Sequence, residues 1–216
     1  MVEKTILVER EGPIKIITFN RPEAANALND QLSMEFYDAI CECATDDTVR
    51  AVLLTGKGKM FCGGGDLKFL LSKKKEVKKM LLKMTNYLHG AIARMAKMNA
   101  PVVIAVNGSA GGGGLSLAIS GDIVISAESA KYTLAYTKAG LSPDASSTFY
   151  LPRLVGLRRA KELMLTSRIF TAQEAYDMGM IDRVVEDEKL MDEARQQTEE
   201  LASGATQAYG LSLIHI

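Results

Sequence analysis

One stretch, Pro101–Asp122, constrains the fold more than any other part of the chain. Its apolar run Val102–Val106 is rich in β-branched residues and predicts a buried strand. Asn107-Gly108 interrupts the strand, and four glycines at 111–114 follow before helical spacing resumes at Leu115. The order strand, glycine turn, helix places free N–H groups and the positive end of a helix dipole at the turn. Such a turn can bind an anion or a developing oxyanion, or it can simply let a helix pack close to a strand.

The glycine turn does not fit the nucleotide-binding motifs, and the composition does not indicate nucleic acid. No Gly-Lys-Ser/Thr follows the turn, and a G-x-G-x-x-G pattern cannot be completed. Lys plus Arg and Asp plus Glu both number 26, so net charge gives no argument for nucleic acid or a membrane surface. The three cysteines form no metal-ligand pattern, and an odd count is typical of a reducing compartment. With no membrane-spanning apolar run and no signal-peptide pattern, we expect a soluble cytoplasmic protein without a metal site.

Strand and helix patterns alternate along the chain. Strand patterns, with a hairpin signal at residues 11–13, cover Thr5–Val8, Ile14–Phe19, Val49–Thr55, Asp122–Ser126 and Val184–Val185. Helical patterns, with a capping box at Thr171 and Glu174, cover Asn29–Ala44, Val77–Met98, Leu154–Leu165, Ala172–Met178 and Leu190–Leu201. Residues 129–145 lack periodicity and predict strand ends and loops. The alternation predicts one α/β domain of parallel strands joined by right-handed crossovers.

A second glycine turn, Gly56–Leu67, also follows a buried strand and leads into a helix. Neighbouring parallel strands would bring both turns to the same edge of the sheet, where ligands bind in open α/β folds. Two backbone N–H groups from different turns could then converge on one carbonyl oxygen and stabilise an enolate or a tetrahedral intermediate.

These segments, together with several others, resemble the crotonase (enoyl-CoA hydratase/isomerase) superfamily. Motifs in the order typical of the family cover nearly the whole chain: residues 20–28 (NRPEAANAL), 61–67 (FCGGGDL), 101–122, 140–144 (GLSPD), 151–156 (LPRLVG) and 175–180 (AYDMGM). The nearest motifs are those of the isomerase and dehalogenase-like members. The resemblance implies a crotonase-like spiral of repeated ββα units and acyl-CoA thioester substrates.

The same resemblance implies a role in fatty acid metabolism, a homotrimer or dimer of trimers, and no separate cofactor, since coenzyme A is part of the substrate. Family chains usually continue with further helices beyond this point, and the segment from Leu213 does not resemble that continuation. We therefore expect a core domain at residues 1–200, with 201–216 an incomplete or foreign C-terminal segment. If the C-terminal helical region is truncated in this way, we expect the chain to form trimers poorly.

The resemblance also assigns site residues. It places the oxyanion hole at the N–H groups of Gly65 and Gly113. The residues that would contact coenzyme A and the acyl group are Ala24, Ala25, Ala27, Gly63, Gly64, Asp66, Leu67, Ser116 and Tyr136.

Two positions depart from the hydratase pattern. The two glutamates of the hydratases correspond here to Ser116 and Tyr136, which exchange protons poorly near neutral pH. Asp144 is the acid that remains, at a position similar to a catalytic aspartate in several members. Without the resemblance it would be an ordinary turn residue after proline. An isomerase is therefore favoured over a hydratase.

Three functions stay open. In the first, Asp144 is the acid/base of an enoyl-CoA isomerase-type proton transfer. In the second, Asp144 is the nucleophile of a hydrolytic or dehalogenating enzyme, His89 activates water, and Tyr136 contacts the aspartate, as the resemblance to the dehalogenase implies. His89 can equally be a partly exposed helix histidine. In the third, the chain binds acyl-CoA without catalysis.

Overall fold

The apolar runs of the sequence form two sheets in a computed structural model that describes residues 4–216. The strands are β1 (Ile6–Glu11), β2 (Ile14–Phe19), β3 (Ala51–Gly56), β4 (Met60–Cys62), β5 (Val102–Val106), β6 (Ser109–Gly111), β7 (Ile123–Ala127), β8 (Lys131–Thr133), β9 (Phe170–Thr171) and β10 (Arg183–Val185). The helices are α1 (Asp30–Thr45), α2 (Leu67–Ser72), α3 (Val77–Met95), α4 (Gly113–Ala118), α5 (Ser147–Thr166), α6 (Ala172–Asp177), α7 (Leu190–Ser203) and α8 (Thr206–His215).

The larger sheet has the order β1-β2-β3-β5-β7-β10. Its first pair is the predicted antiparallel hairpin, and every later pair is parallel. Strands β3 and β5 are buried along their whole length, because helices cover both faces of the sheet. Helix α7 packs on one face, and the opposite face packs against a core that includes α1, α3 and α4. The predicted α/β class and its parallel strands are confirmed.

The sequence did not predict the smaller sheet, which has the order β4-β6-β8-β9. Its strands have only two or three residues each, too few to show a period. Two of them lie inside the predicted glycine turns, so each turn contains a short strand rather than leading directly from strand to helix. Strand β8 lies within residues 129–145, where only strand ends and loops were expected.

Side-chain hydrogen bonds fix where two of the helices begin. The Asn29 side chain accepts a hydrogen bond from the Leu32 N–H and caps α1. The predicted capping box begins α6: Thr171 and Glu174 each accept a hydrogen bond from the backbone N–H of the other. Helix α5 begins at Ser147, seven residues before the predicted start, and it is broken at Gly156, where φ is 77°.

Helix α8 runs through Leu213, where the sequence did not indicate a continuing helix. A side chain at Gly210 would collide with Asn99, so this helix packs closely on the residues before β5. The assignment of residues 201–216 as an incomplete or foreign segment stays a prediction. In residues 4–216, no helix is both long and apolar enough to cross a membrane.

Candidate active site

The two glycine turns touch each other. Strand β4 pairs in parallel with β6, with Cys62 opposite Ala110, and this pairing brings the two turns side by side. A Cβ built on Gly64 would lie 2.6 Å from the Gly111 carbonyl oxygen and 3.2 Å from the Gly113 nitrogen. Glycine is therefore required at position 64 by space and by its φ of 89°. The two turns therefore lie side by side, as expected for turns that follow the neighbouring parallel strands β3 and β5.

Gly65 and Gly113, the two predicted oxyanion-hole residues, line the same cavity. Leu28 donates to the Gly64 carbonyl at 2.7 Å and accepts from the Asp66 N–H at 2.8 Å, as in a parallel bridge. This pairing directs the N–H of Gly65 away from Leu28. Gly113 is the first residue of α4, so its N–H has no acceptor within the helix. The arrangement is suited to two donors for one oxygen atom.

A cavity of about 120 Å³ lies beside these glycines. Its wall is mostly apolar and includes Leu28, Leu70, Leu81, Met84 and Leu88. Its polar side chains within the described residues are Ser33, Thr85, Tyr136 and Asp144, and Asp144 is the only carboxylate among them. The cavity therefore combines an apolar pocket with one potential acid/base.

Asp144 is held by a chain of buried hydroxyl groups. The Tyr136 phenol donates to Oδ1 of Asp144 at 2.7 Å, and the Ser116 hydroxyl lies 2.8 Å from the same phenol oxygen. Burial, and next the negative charge of Asp144, raise the pKa of Tyr136 well above its usual value, so the phenol stays protonated. Ser116 is fully buried and absent from the cavity wall. The substrate contact predicted for Ser116 stays a prediction, and in this structure its hydroxyl supports Tyr136.

This hydroxyl chain can serve both protonation states of Asp144. An ionised carboxylate only accepts, so Tyr136 donates to Asp144, and Ser116 in turn donates to Tyr136. When Asp144 carries a proton on Oδ1, the order can reverse and Tyr136 donates to Ser116. Ser116 then has an acceptor in the Gly112 carbonyl, 3.2 Å away. No member of the chain is left without a partner in either state.

His89 lies next to this cluster but outside the cavity wall. Its Nε2 atom accepts a hydrogen bond from the Ala145 N–H at 3.1 Å, one residue after Asp144. The residue is exposed on α3, as the alternative interpretation of a helix histidine expected. Its acceptor nitrogen is already occupied, so in this arrangement it cannot accept a proton from water without first leaving Ala145.

The predicted coenzyme A path is only partly in the cavity wall. Gly63, Gly64 and Leu67 line the cavity. Ala24, Ala25 and Ala27 lie on the loop before Leu28 and outside the wall, and Ala25 binds the Gly63 N–H at 2.9 Å. These residues therefore border the glycine turn rather than the cavity.

The carboxylate of Asp66 has hydrogen-bond partners within the protein, and these account for its position without a ligand. Its carboxylate accepts from the Phe69 N–H at 2.9 Å, capping α2, and pairs with Arg21 at 3.0 Å. Neither oxygen lies in the cavity wall. Cys62, buried in the same turn, is poorly suited to act as a nucleophile, because burial raises the pKa of its thiol to about 12.

Sequence reasoning missed Ser33 and the role of Asn26. Ser33 is a polar residue on the buried face of α1, three residues before Phe36, and that spacing could have identified it. Asn26 is fully buried, and its side-chain amide donates to the carbonyls of Lys57 and Met60. These bonds fix the loop that contains Asn26 against the second glycine turn. No group of three or more potential metal ligands occurs in the described part of the chain.

Several known proteins resemble this chain in sequence and in fold. The family model for enoyl-CoA hydratase/isomerase matches residues 9–211. The chain is 40% identical to the 1,2-epoxyphenylacetyl-CoA isomerase of Escherichia coli, covering 97% of this chain and 79% of that protein. It is 35% identical to 4-chlorobenzoyl coenzyme A dehalogenase-1 of an Arthrobacter species, covering 95% and 75%. The crystal structure of an enoyl-CoA hydratase from Bacillus anthracis matches with a TM-score of 0.90 and 33% identity, covering 97% and 81%.

Proposed function

Because the chain belongs to the enoyl-CoA hydratase/isomerase family, whose fold it shares, we propose that it catalyses an isomerase-type proton transfer on an acyl-CoA thioester. Asp144 is the proposed acid/base. The observation that supports the proposal is that Asp144 is the only carboxylate in the described cavity wall, in a cavity that Gly65 and Gly113 also line.

The proposed reaction begins when the thioester carbonyl oxygen accepts hydrogen bonds from Gly65 and Gly113. Asp144 then removes a proton from a carbon of the acyl chain, and the electron pair of that C–H bond moves toward the carbonyl. The resulting enolate oxygen carries negative charge, which the two N–H groups stabilise more strongly than the neutral carbonyl. Asp144 finally returns the proton to a different carbon, so the product has the same mass as the substrate.

A single carboxylate suits proton transfer better than hydration. Adding water across a double bond requires one group to activate the water and another to protonate carbon. The two positions that hold glutamates in the hydratases are here Ser116, which is fully buried, and Tyr136, whose raised pKa keeps it neutral. The hydroxyl chain bonds Oδ1 of Asp144, and in this proposal Oδ2 exchanges the proton with the substrate.

The acyl-CoA itself supplies the coenzyme, and no separate cofactor enters the proposal. Gly63, Gly64 and Leu67 would contact the substrate, and the loop that carries Ala24, Ala25 and Ala27 would border coenzyme A. We also expect the homotrimer or dimer of trimers that the resemblance implies, and the cytoplasmic location that the sequence pattern predicts.

A turnover screen with wild type and Asp144→Asn tests the proposal. Enoyl-, dienoyl- and epoxyaryl-CoA thioesters would be followed by chromatography and mass spectrometry. The proposal expects a product of unchanged mass with at least one substrate and its loss in the variant, which keeps the size of the side chain but cannot exchange a proton. Tight acyl-CoA binding without turnover of any thioester would instead support a purely binding role.

A second candidate, dehalogenation by hydrolysis, is suggested by the position of His89, whose Nε2 atom lies 3.1 Å from the N–H of the residue after Asp144. His89 must first leave that N–H before it can accept a proton. In this route the Asp144 carboxylate attacks the halogen-bearing carbon, halide leaves, and an ester forms. Water then cleaves the ester after His89 takes its proton, and one solvent oxygen enters the carboxylate. A single turnover of 4-chlorobenzoyl-CoA in H₂¹⁸O should label Asp144 if this route operates; halide release without the label excludes an ester on Asp144.

A further inference from the structure

Ser33 presents a buried hydroxyl without a hydrogen-bond partner. The residue lies on α1, and only 1% of its surface is exposed. Its backbone N–H donates to the Asn29 carbonyl at 3.0 Å, but its Oγ atom has no partner among residues 4–216. A serine in a helix often donates to the carbonyl four residues earlier, and this one does not. An unsatisfied buried hydroxyl in a native protein calls for an explanation.

The position of Ser33 supplies that explanation, because the residue lines the cavity that also contains Asp144. The hydroxyl of Thr85 in the same wall donates to the Leu81 carbonyl at 2.9 Å. The Tyr136 phenol is occupied by Asp144 and Ser116. Among the described wall residues, Ser33 therefore has the only side-chain hydroxyl that is not already bonded.

The size of the cavity limits what can reach this hydroxyl. Its volume of about 120 Å³ is close to that of a cavity that holds benzene, roughly 150 Å³. A short chain or a single ring fits such a space. The surrounding leucine and methionine side chains can offer no hydrogen bond to a polar atom of that group, whereas the unpaired Ser33 hydroxyl can.

We propose that Ser33 is a specificity residue that binds an oxygen atom carried by the acyl group of the substrate. This inference rests on the proposed function, because it assumes that the acyl group occupies the cavity. The substrate class is then a coenzyme A thioester whose small or single-ring acyl group bears a hydroxyl, ether, epoxide or carbonyl oxygen besides the thioester. An unsubstituted acyl group would leave the Ser33 hydroxyl buried and unpaired, and the pocket would discriminate against it.

Binding, rather than turnover, tests this inference independently of the proposed chemistry. Phenylacetyl-CoA and its three monohydroxylated isomers would be titrated calorimetrically into wild type, Ser33→Ala and Thr85→Val. Thr85→Val is the matched control, because it removes a wall hydroxyl that is already bonded within the helix. Thermal melting should show that Ser33→Ala folds as well as wild type, since the deleted hydroxyl has no partner to lose.

We expect one hydroxylated isomer to bind wild type about tenfold more tightly than phenylacetyl-CoA, or 1.4 kcal/mol at 25 °C. Ser33→Ala should abolish that preference, and Thr85→Val should retain it. Equal affinity of wild type for all four ligands would overturn the inference alone, and so would a preference that survives in Ser33→Ala. Failure of every acyl-CoA to bind would overturn the proposed function together with it.

Discussion

Replacing Tyr136 by phenylalanine removes the hydrogen bond that holds the proposed acid/base in place. The phenol donates to Asp144 at 2.7 Å, and a hydrogen bond to a charged group contributes about 1.5–3 kcal/mol. If that contribution depends on the orientation of Asp144 in the transition state, kcat/KM should fall about 10- to 150-fold. Because the phenol is already bonded to Asp144 and Ser116, kcat should carry most of the loss and KM should change little.

Ser116 supplies the second half of this test. It is fully buried, absent from the cavity wall and bonded to Tyr136 at 2.8 Å, so it can influence Asp144 only through Tyr136. Ser116→Ala should reduce kcat by roughly 3- to 10-fold, as expected for one neutral hydrogen bond. In the Tyr136→Phe background the same substitution should reduce kcat no further, because the link is already broken.

The assay is a double-mutant cycle of kcat and kcat/KM on the substrate identified by the turnover screen. Melting temperatures of the four proteins serve as the control, and Tyr136→Phe should unfold within a few degrees of wild type because the buried ring is retained. Full activity in Tyr136→Phe would refute the positioning argument. So would losses that multiply in the double variant, since two independent sites behave that way.

Two further predictions concern the turns and the pH dependence of stability. Gly64→Ala should destabilise the fold by about 1–3 kcal/mol from its positive φ alone, and the contact with the Gly111 carbonyl should add to this. Gly65→Ala is the comparison, because its Cβ would meet nothing within 4 Å. It should leave the melting temperature unchanged and weaken thioester turnover. Burial raises the pKa of Asp122 from its usual 3.8 to about 6, so the folded state binds that proton more tightly than the unfolded chain does. The free energy of unfolding should therefore fall by about 3 kcal/mol from this group as pH rises from about 4 to about 6. Urea unfolding at several pH values should show a smaller dependence on pH in Asp122→Asn than in wild type.

The sequence predicted the parts of the fold whose patterns are long. Strand β5 is apolar throughout, β3 begins with four apolar residues, and α3 carries a repeating apolar stripe, so these patterns were clear. The smaller sheet was missed because its strands are too short for a period and pair through distant parts of the chain. The early start of α5 was missed since it includes Pro152 and a break at Gly156.

The candidate site was also predicted only in part. The two glycine turns were predictable, because each follows a strand and parallel neighbours share an edge. The link between Ser116 and Tyr136 was not, since it joins a helix to a loop twenty residues later and depends on tertiary packing. Asp66 was assigned to the substrate from its motif, but its geometry shows a helix cap and an ion pair with Arg21. Spacing alone could not separate these roles.

Hydrogen exchange at the acyl chain tests the central claim, that Asp144 carries a proton on a thioester enolate, most directly. Wild type and Asp144→Asn would be incubated in D₂O with phenylacetyl-CoA, and loss of the proton signal from the carbon next to the thioester carbonyl would be followed by NMR. The account predicts deuterium incorporation with wild type and none above the uncatalysed rate with Asp144→Asn. Binding of the thioester without exchange in wild type, or equal exchange in the variant, would contradict it.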